Sequence, residues 1–348
     1  MPPRTDKLRW HSAVPRVGIV LVIWATAGCA QQPYLFTSHE LDGVQVQLKM
    51  PTVNSEHPLL TVDVAVAGGP VVPLLVDTGS PGLRIFSDQV GADGLVTSAT
   101  ESTATYIDGT TLTGVEAQAP VSIGNVSTAG PITIQLINSV TCEDAQPDCV
   151  GSGGIERFAS DQSFAGILGI GLMEAPVYSP LMQLAGGPPS TFSIRTTPES
   201  SSGTLTFNLT PTNPAAAYSM PAWPEPRLPN NVPAWSSNEA KACWAFAAAA
   251  PQCLTTSFDS GSPFILATTI VPGAPSVGNV AAGVKLLLFP DQKTEPVWVV
   301  MAGSAPGVNQ MSINTPTNGG SAVNTGLAVF SNLSVTFDIS RGQILLSP

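Results

Sequence analysis

Two short stretches of the sequence place an aspartate between a run of apolar residues and a turn of small ones. The first is Leu74-Leu75-Val76-Asp77-Thr78-Gly79-Ser80-Pro81, and the second is Ser257-Phe258-Asp259-Ser260-Gly261-Ser262-Pro263-Phe264. The apolar residues are typical of a buried strand, and the Asp-Thr/Ser-Gly-Ser residues are typical of the tight turn that ends it. We interpret the pair as a duplicated half-site in which each copy supplies one carboxylate to a shared centre.

Such a pair of carboxyl groups has a definite chemistry. When two of them lie within hydrogen-bonding distance, one keeps its proton and the other loses it, because both cannot ionise cheaply. The ionised group can take a proton from water while the protonated group polarises a carbonyl, which is general acid–base catalysis suited to amide hydrolysis. It requires no metal and no cofactor. We expect the catalytic residues to be Asp77 and Asp259.

The small residues of the two turns are expected to support these aspartates. Hydroxyls and turn amides can bind the outer carboxylate oxygens, while glycine lets two loops approach closely. The supporting residues predicted in this way are Thr78, Gly79, Ser80, Ser260, Gly261 and Ser262.

Histidine-based hydrolytic sites fit the sequence poorly. The three histidines are His11, His39 and His57, and all of them precede the first aspartate motif. Their spacing does not match a zinc-binding helix, and none lies where a Ser–His–Asp triad could form in the main body of the chain. We therefore predict that the protein holds no metal.

Composition favours a mainly β protein and argues against nucleic acid as a partner. The 348 residues include 13 Lys and Arg against 24 Asp and Glu, a net charge of −11, so the clustered bases that bind phosphates are lacking. Gly and Pro are both frequent, at 32 and 33 residues, and the apolar segments are short and rich in Val, Ile and Thr. These features predict an all-β fold of many short strands.

Two hairpins are predicted around the first motif. The alternating residues 60–66 and 71–76 form the first hairpin, which delivers Asp77. The second spans residues 104–114, with an Asp-Gly turn at Asp108-Gly109 and Tyr106 near its tip. Tyr106 could cover a cleft or could be half-buried in an ordinary surface hairpin.

The five cysteines and the N-terminus fit an exported protein. Cys142/Cys149 and Cys243/Cys253 are two locally spaced pairs, consistent with disulfides in an oxidising compartment, although buried free thiols remain the alternative. Residues 1–28 have the basic and apolar regions of a signal peptide. The small residues before Cys29 resemble a bacterial lipobox, which predicts lipidation of Cys29 and a cell-envelope protein; cleavage by an ordinary signal peptidase, giving a secreted protein, is the alternative.

The order of these pieces resembles that of the pepsin-like aspartic proteases. Both Asp motifs match the catalytic motifs of that family, residues 164–172 resemble the segment that supports the first aspartate, and residues 325–348 resemble its C-terminal segment. The resemblance extends from about residue 59 to the C-terminus.

The resemblance implies two β lobes related by a pseudo-twofold axis, with a peptide-binding cleft between them. Together with the N-terminal features, this predicts a signal peptide at residues 1–28, a tether at 29–58, an N-terminal lobe at 59–188 and a C-terminal lobe at 189–348. Tyr106 and Gly109 are then expected in a flap that binds substrate, and Gly169 and Gly326 in the loops behind the aspartates.

Two positions depart from the family pattern. Arg84 stands where the family usually has the tryptophan that contacts the flap tyrosine, which predicts an altered flap contact. Asn324-Thr325-Gly326 replaces the usual apolar–apolar–Gly, which predicts weaker support for Asp259. The resemblance implies an aspartic endopeptidase that acts on polypeptides, and we expect a monomer; the alternative is an inactive pepsin-fold lipoprotein that binds a peptide or protein partner.

Overall fold

Short β-prone segments separated by Gly and Pro turns account for most of the regular structure, as their composition predicts. The computed structural model describes residues 40–348, except residues 54–56, 198–200, 224–226, 293, 304–306 and 317–319. The predicted signal peptide, Cys29 and the first part of the predicted tether lie outside the described residues.

The strands are numbered in chain order. Those of the first half are β1 (Gln45–Lys49), β2 (Thr52–Val53), β3 (His57–Pro58), β4 (Thr61–Val66), β5 (Val72–Asp77), β6 (Pro81–Phe86), β7 (Val96–Thr105), β8 (Thr110–Ala119), β9 (Val121–Ile123), β10 (Val126–Ser127), β11 (Ile132–Cys142) and β12 (Gly166–Ile170). Those of the second half are β13 (Thr191–Thr197), β14 (Ser202–Phe207), β15 (Ala216–Ser219), β16 (Ala240–Phe246), β17 (Gln252–Ser257), β18 (Ile265–Thr268), β19 (Gly278–Asn279), β20 (Lys285–Phe289), β21 (Trp298–Met301), β22 (Met311–Asn314), β23 (Val323–Asn324), β24 (Ser334–Asp338) and β25 (Gln343–Ser347).

Helices are short by comparison. The α-helix α1 (Gly154–Gln162) buries Phe158, whose ring packs edge-on against Phe86 and Phe164. Short 3-10 helices occupy Ser87–Gln89, Pro180–Gln183, Pro229–Asn231, Ser237–Glu239 and Gly326–Ala328. Among the described residues, no helix is both long enough and apolar enough to cross a membrane.

Two large sheets carry the fold. Within the described residues, the first has fifteen strands in the order β15-β25-β24-β13-β14-β1-β4-β5-β12-β6-β11-β8-β7, with β9 paired to β4 and β10 to β9. The second has eight strands in the order β19-β22-β18-β23-β17-β16-β20-β21, and β2 and β3 form a separate pair. The bilobal, mainly β architecture predicted from the sequence is confirmed.

The same four-strand arrangement occurs in both sheets. In the first, β12 lies between β5, to which it is parallel, and β6, to which it is antiparallel, while β11 runs parallel to β6. In the second, β23 lies between β17 and β18 with the same directions, and β22 runs parallel to β18. Each repeat ends its first strand at one Asp motif, so the sequence duplication is also a structural one.

The strands do not divide between the sheets at the lobe boundary expected near residue 188. Strands β13–β15, β24 and β25 belong to the large sheet that also contains β4–β12, and the rings of Phe192 and Phe337 stack within it at 4.8 Å. The predicted tether at 29–58 needs a correction, because residues 45–49 form β1 and pair with β14. Val46 and Leu48 alternate with polar residues there, which gives this strand one buried face.

Candidate active site

Asp77 is the last residue of β5, where the strand passes into the first turn, and its side chain is buried. Oδ1 accepts hydrogen bonds from the backbone N–H groups of Gly79 at 2.7 Å and Ser80 at 3.2 Å. Oδ2 accepts a hydrogen bond from the Ser80 hydroxyl. The turn therefore fixes both oxygens and sets the orientation of the carboxyl group.

Asp259 lies two residues beyond β17 and is half-buried. Its Oδ1 accepts a hydrogen bond from the backbone N–H of Gly261 at 2.8 Å, which repeats the contact that Gly79 makes to Asp77. Its Oδ2 accepts one from the side-chain amide of Asn324 at 2.7 Å. Both carboxyl groups are thus held at both oxygens, although by different residues.

Glycine allows the two turns to meet face to face. A Cβ atom on Gly79 would lie 2.6 Å from the carboxyl carbon of Asp259, and one on Gly261 would lie 2.6 Å from Oδ1 of Asp77. No larger residue fits at either position without displacing an aspartate. The structure therefore brings together the two carboxylates that the sequence analysis selected, and it does so through the two glycines of the same motifs.

The two carboxyl groups influence each other's charge, and the effect is seen at Asp77. Burial, together with the nearby charge of Asp259, raises the pKa of Asp77 to about 8, although hydrogen bonds from Ser80 and Gly79 act in the opposite direction. At neutral pH Asp77 consequently keeps its proton. Within the described residues, no three His, Cys, Asp or Glu side chains cluster as the ligands of a metal would.

Thr78 and Ser260 join the two turns beneath the aspartates. The Thr78 hydroxyl donates to the Phe258 carbonyl at 2.6 Å and accepts from the Ser260 backbone N–H at 2.9 Å. The Ser260 hydroxyl donates to the Val76 carbonyl at 2.7 Å and accepts from the Thr78 backbone N–H at 3.1 Å. Four buried hydrogen bonds therefore hold one motif against the other.

Gly169 lies in β12 and Gly326 begins the short 3-10 helix Gly326–Ala328, each behind one of the two motifs. A Cβ on Gly169 would lie 2.7 Å from the backbone of Pro81 and Gly82, and one on Gly326 would lie 2.3 Å from the carbonyl oxygen of Phe264. Gly326 also has a φ of +53°, which disfavours other residues. Both glycines therefore allow the chain behind each aspartate to approach its motif closely.

The hairpin of β7 and β8 carries Tyr106 toward Asp77. Its turn closes through a 2.9 Å bond from the Gly109 N–H to the Tyr106 carbonyl, and Gly109 adopts a φ of +86°. The Tyr106 ring packs against the apolar cluster that includes Leu75 and Phe86. Burial of the hydroxyl end raises the pKa of Tyr106 to about 12, so it stays protonated throughout the neutral range.

Arg84 is a buried cation beside this tyrosine. Its Nη1 donates to the carbonyls of Pro81 at 2.6 Å and Gly82 at 3.2 Å, whereas Nε is buried and has no hydrogen-bond partner among the residues that the structure describes. The Tyr106 hydroxyl is also buried without a hydrogen bond of good geometry, and the positive charge of Arg84 acts to lower the pKa of that hydroxyl. The arginine therefore faces Tyr106, and it also fixes the start of β6, the strand that follows the first motif.

The family model of the PE-PGRS C-terminal aspartyl peptidase-like domain matches residues 44–343. The chain belongs to this family. The aspartic proteinase from Irpex lacteus, known from a crystal structure, has a similar fold with a TM-score of 0.52 and 13% sequence identity, over 87% of this chain and 97% of that chain. No curated protein matches the sequence. The predicted resemblance to pepsin-like aspartic proteases is confirmed in both family and fold.

One predicted support of this aspartyl peptidase-like domain uses its hydroxyl elsewhere. The Ser262 hydroxyl donates to the carbonyl of Phe264 at 2.8 Å. Asn324 instead donates the hydrogen bond to Oδ2 of Asp259. The sequence Asn324-Thr325-Gly326 therefore supplies a support for Asp259, whereas the sequence analysis expected weaker support there. The order Asn-Thr-Gly was visible in the sequence, but its contact with Asp259 depends on the pairing of β23 with β17.

Both predicted disulfides are present in the peptidase-like domain. Cys142 and Cys149 close the loop after β11, while Cys243 and Cys253 face each other across the β16–β17 pair. Two disulfides indicate an oxidising, extracytoplasmic environment.

Proposed function

We propose that this protein is an aspartic endopeptidase that hydrolyses polypeptides with a water molecule activated between Asp77 and Asp259. The observation that carries the proposal is the mutual approach of the two motifs, in which Gly79 and Gly261 each pack against the opposite carboxyl group. A peptidase fold alone would not require both glycines and both aspartates at this contact.

In the proposed reaction, the water oxygen attacks the carbonyl carbon of the scissile bond while the ionised Asp259 accepts a proton from that water. Protonated Asp77 donates its proton to the carbonyl oxygen, so a neutral diol intermediate forms. Transfer of a proton from Asp259 to the amide nitrogen then allows the C–N bond to break. Asp77 recovers its proton from the collapsing diol, which becomes the new carboxyl group.

Tyr106 is proposed to cover the substrate in this reaction. Its hydroxyl end lies near Ser80, Asp77 and Arg84 and is already removed from water. Closing a flap over the reacting bond excludes bulk water and strengthens the electrostatic interactions inside. Gly109 serves this role by allowing the hairpin to turn.

The protein is proposed to act outside the cytoplasm as a monomer, attached to a membrane by a lipid on Cys29. The disulfides support the compartment, while the lipid attachment rests on the sequence before Cys29. Metabolic labelling with a fatty acid, compared between the full chain and Cys29→Ser, tests this part. Equal labelling of the two proteins would exclude the anchor.

The test of the activity is cleavage of an unfolded, carboxymethylated protein by the full chain between pH 3 and pH 9. Mass spectrometry should reveal internal peptide bonds cut by the wild type and protected by pepstatin. Binding of the same substrate without any cleavage, by a folded protein, would instead identify a peptide-binding module and refute the endopeptidase.

A further inference from the structure

The two halves of the site differ at one contact. In the first repeat, Ile167-Leu168-Gly169 runs along the strand behind Asp77, and Ile167 is buried among apolar side chains. In the second repeat, the corresponding residues are Asn324-Thr325-Gly326. An apolar residue in one lobe is thus matched by a buried amide in the other.

The orientation of the Asn324 amide is determined by its neighbours. Its Oδ1 accepts the backbone N–H of Gly326 at 2.9 Å, and a backbone N–H can only donate. Nδ2 therefore has to be the atom that faces Asp259, and it lies 2.7 Å from Oδ2. Asn324 is 9% exposed, so water competes little for this contact.

The hydrogen-bonding partners of the two aspartates differ in kind. Both oxygens of Asp259 face donors that cannot accept a proton in return, the Gly261 N–H and the Asn324 amide. Oδ2 of Asp77 instead faces the Ser80 hydroxyl, which can either donate or accept. Hydrogen bonds donated to a carboxylate favour its ionised form, and the Asn324 amide adds such a bond at Asp259 that can never be reversed.

We propose that Asn324 is a positioning residue that orients Asp259 and holds the negative charge of the dyad on that carboxylate. The inference rests on the proposed endopeptidase for its catalytic meaning, but the location of the charge can be measured without activity. Asn324 would act through Asp259, since the contacts place it behind the carboxyl group rather than toward a substrate.

The charged and titratable groups around Asp259 limit the possible explanations of a pH effect. Asp77 faces it from the first motif, and Arg84 and Tyr106 lie beyond Asp77 on β6 and in the β7–β8 turn. Asn324 itself does not titrate. A change in pH dependence on replacing Asn324 by alanine therefore reports the lost hydrogen bond to Asp259 and not the loss of a charge.

Two variants separate the donor from the shape of the side chain. Asn324→Ala removes the amide, while Asn324→Asp keeps its size and the acceptor for Gly326 but replaces the donor by a group that donates only when protonated. Asn314→Ala and Asn314→Asp serve as matched controls, because Asn314 is exposed on β22 of the same sheet.

The closing experiment is an NMR titration of the full chain labelled with ¹³C at the aspartate carboxyl carbons, with Asp259→Asn used to assign the signal. We expect Asn324→Ala to move the ionisation of Asp259 to higher pH by about one unit, the effect of losing one charge-assisted hydrogen bond. Unchanged titration in the folded Asn324→Ala and Asn324→Asp variants would overturn the inference.

Cleavage assays give the second readout. The acidic limb of the kcat profile should move to higher pH in Asn324→Ala with KM nearly constant, whereas Asn324→Asp should be active only at acidic pH. If the wild type cleaves nothing, the proposed function fails while the titration still decides the inference. Profiles that match those of the Asn314 variants would contradict a positioning role.

Discussion

Thr78 and Ser260 are 182 residues apart in the sequence, yet each hydroxyl binds the backbone of the other's strand and turn. Both side chains are buried, at 1% and 0% exposure, so no water replaces these bonds. The relationship makes the two turns one rigid unit, and the distance between the carboxyl groups depends on it. A shift in one hydroxyl would change the position of both aspartates.

Replacing Thr78 by Val keeps the shape of the side chain and removes its hydroxyl. We expect a loss of about 2–4 kcal/mol in the free energy of unfolding, because the Phe258 carbonyl and the Ser260 N–H are left buried without this partner. Urea unfolding measures the loss. Thr97→Val at an exposed position of β7 is the control, and equal stability of the two variants would show that the link between the turns contributes nothing.

Asp77→Asn should abolish turnover and yet stabilise the fold above acidic pH. The pKa of Asp77 rises from 3.8 in the unfolded chain to about 8 in the folded protein, so the folded protein binds the extra proton between these values. This contribution to stability is complete below pH 3.8 and is lost as the pH rises toward 8. The variant lacks the titration, so its advantage in melting temperature should grow from pH 4 to pH 8.

Asp88→Asn is the control for this stability effect, since Asp88 is exposed on a short 3-10 helix. Its melting temperature should differ from that of the wild type by the same small amount at each pH. A constant difference for Asp77→Asn as well would contradict the raised pKa of the buried carboxyl group.

In the proposed reaction, the same proton sets the alkaline limit of activity. Asp77 has to donate to the carbonyl oxygen of the substrate, so kcat/KM is expected to fall tenfold per pH unit once the pH exceeds about 8. A pH profile with a fixed peptide substrate measures this limb. Activity that disappears already near pH 5 would show that burial does not hold the proton on Asp77.

The sequence predicts the parts of this site that depend on local chemistry. The Asp-Thr-Gly and Asp-Ser-Gly turns, the Asp108-Gly109 hairpin and both cysteine pairs involve residues close together in the chain. Their duplication then implied that the two aspartates meet. These features were accessible because turns and strands leave strong local signals in the residue types.

Contacts that depend on strand pairing were not predictable in the same way. Asn324 reaches Asp259 across 65 residues because β23 inserts beside β17. Ser262 was assigned the role of Ser80 from the symmetry of the motifs, but its hydroxyl turns to the Phe264 carbonyl instead. Repeated residue types therefore predicted the backbone arrangement better than they predicted the direction of individual side chains.

Arg84 should stabilise the start of β6 beside Tyr106, the residue proposed to cover the substrate. Arg84→Met removes the donors to the Pro81 and Gly82 carbonyls while keeping a long apolar side chain. We expect a higher KM, because β6 loses these two hydrogen bonds and Tyr106 loses the positive charge beside its hydroxyl. Arg195→Met on an exposed position of β13 is the control, and equal KM values would exclude this role.

The Cys142–Cys149 disulfide should act on the proposed flap, because its loop packs against the Asp108-Gly109 turn. The N–H of Glu143 donates to the Gly109 carbonyl at 2.9 Å, and the N–H of Val150 donates to the Asp108 carboxylate at 3.3 Å. Replacing both cysteines by serine should lower stability by about 2 kcal/mol and also raise KM, since the turn loses its rigid support. Thermal unfolding and peptide cleavage measure the two effects.

The Cys243–Cys253 pair provides the matched control for that prediction. It joins β16 to β17 in the other sheet, far from the β7–β8 turn in topology, and the same double replacement removes the same kind of crosslink. We expect it to lower stability with little change in KM. The flap role of the first disulfide depends on this difference: if both double variants raise KM equally, the effect comes from lost stability and not from the contacts at Gly109 and Asp108.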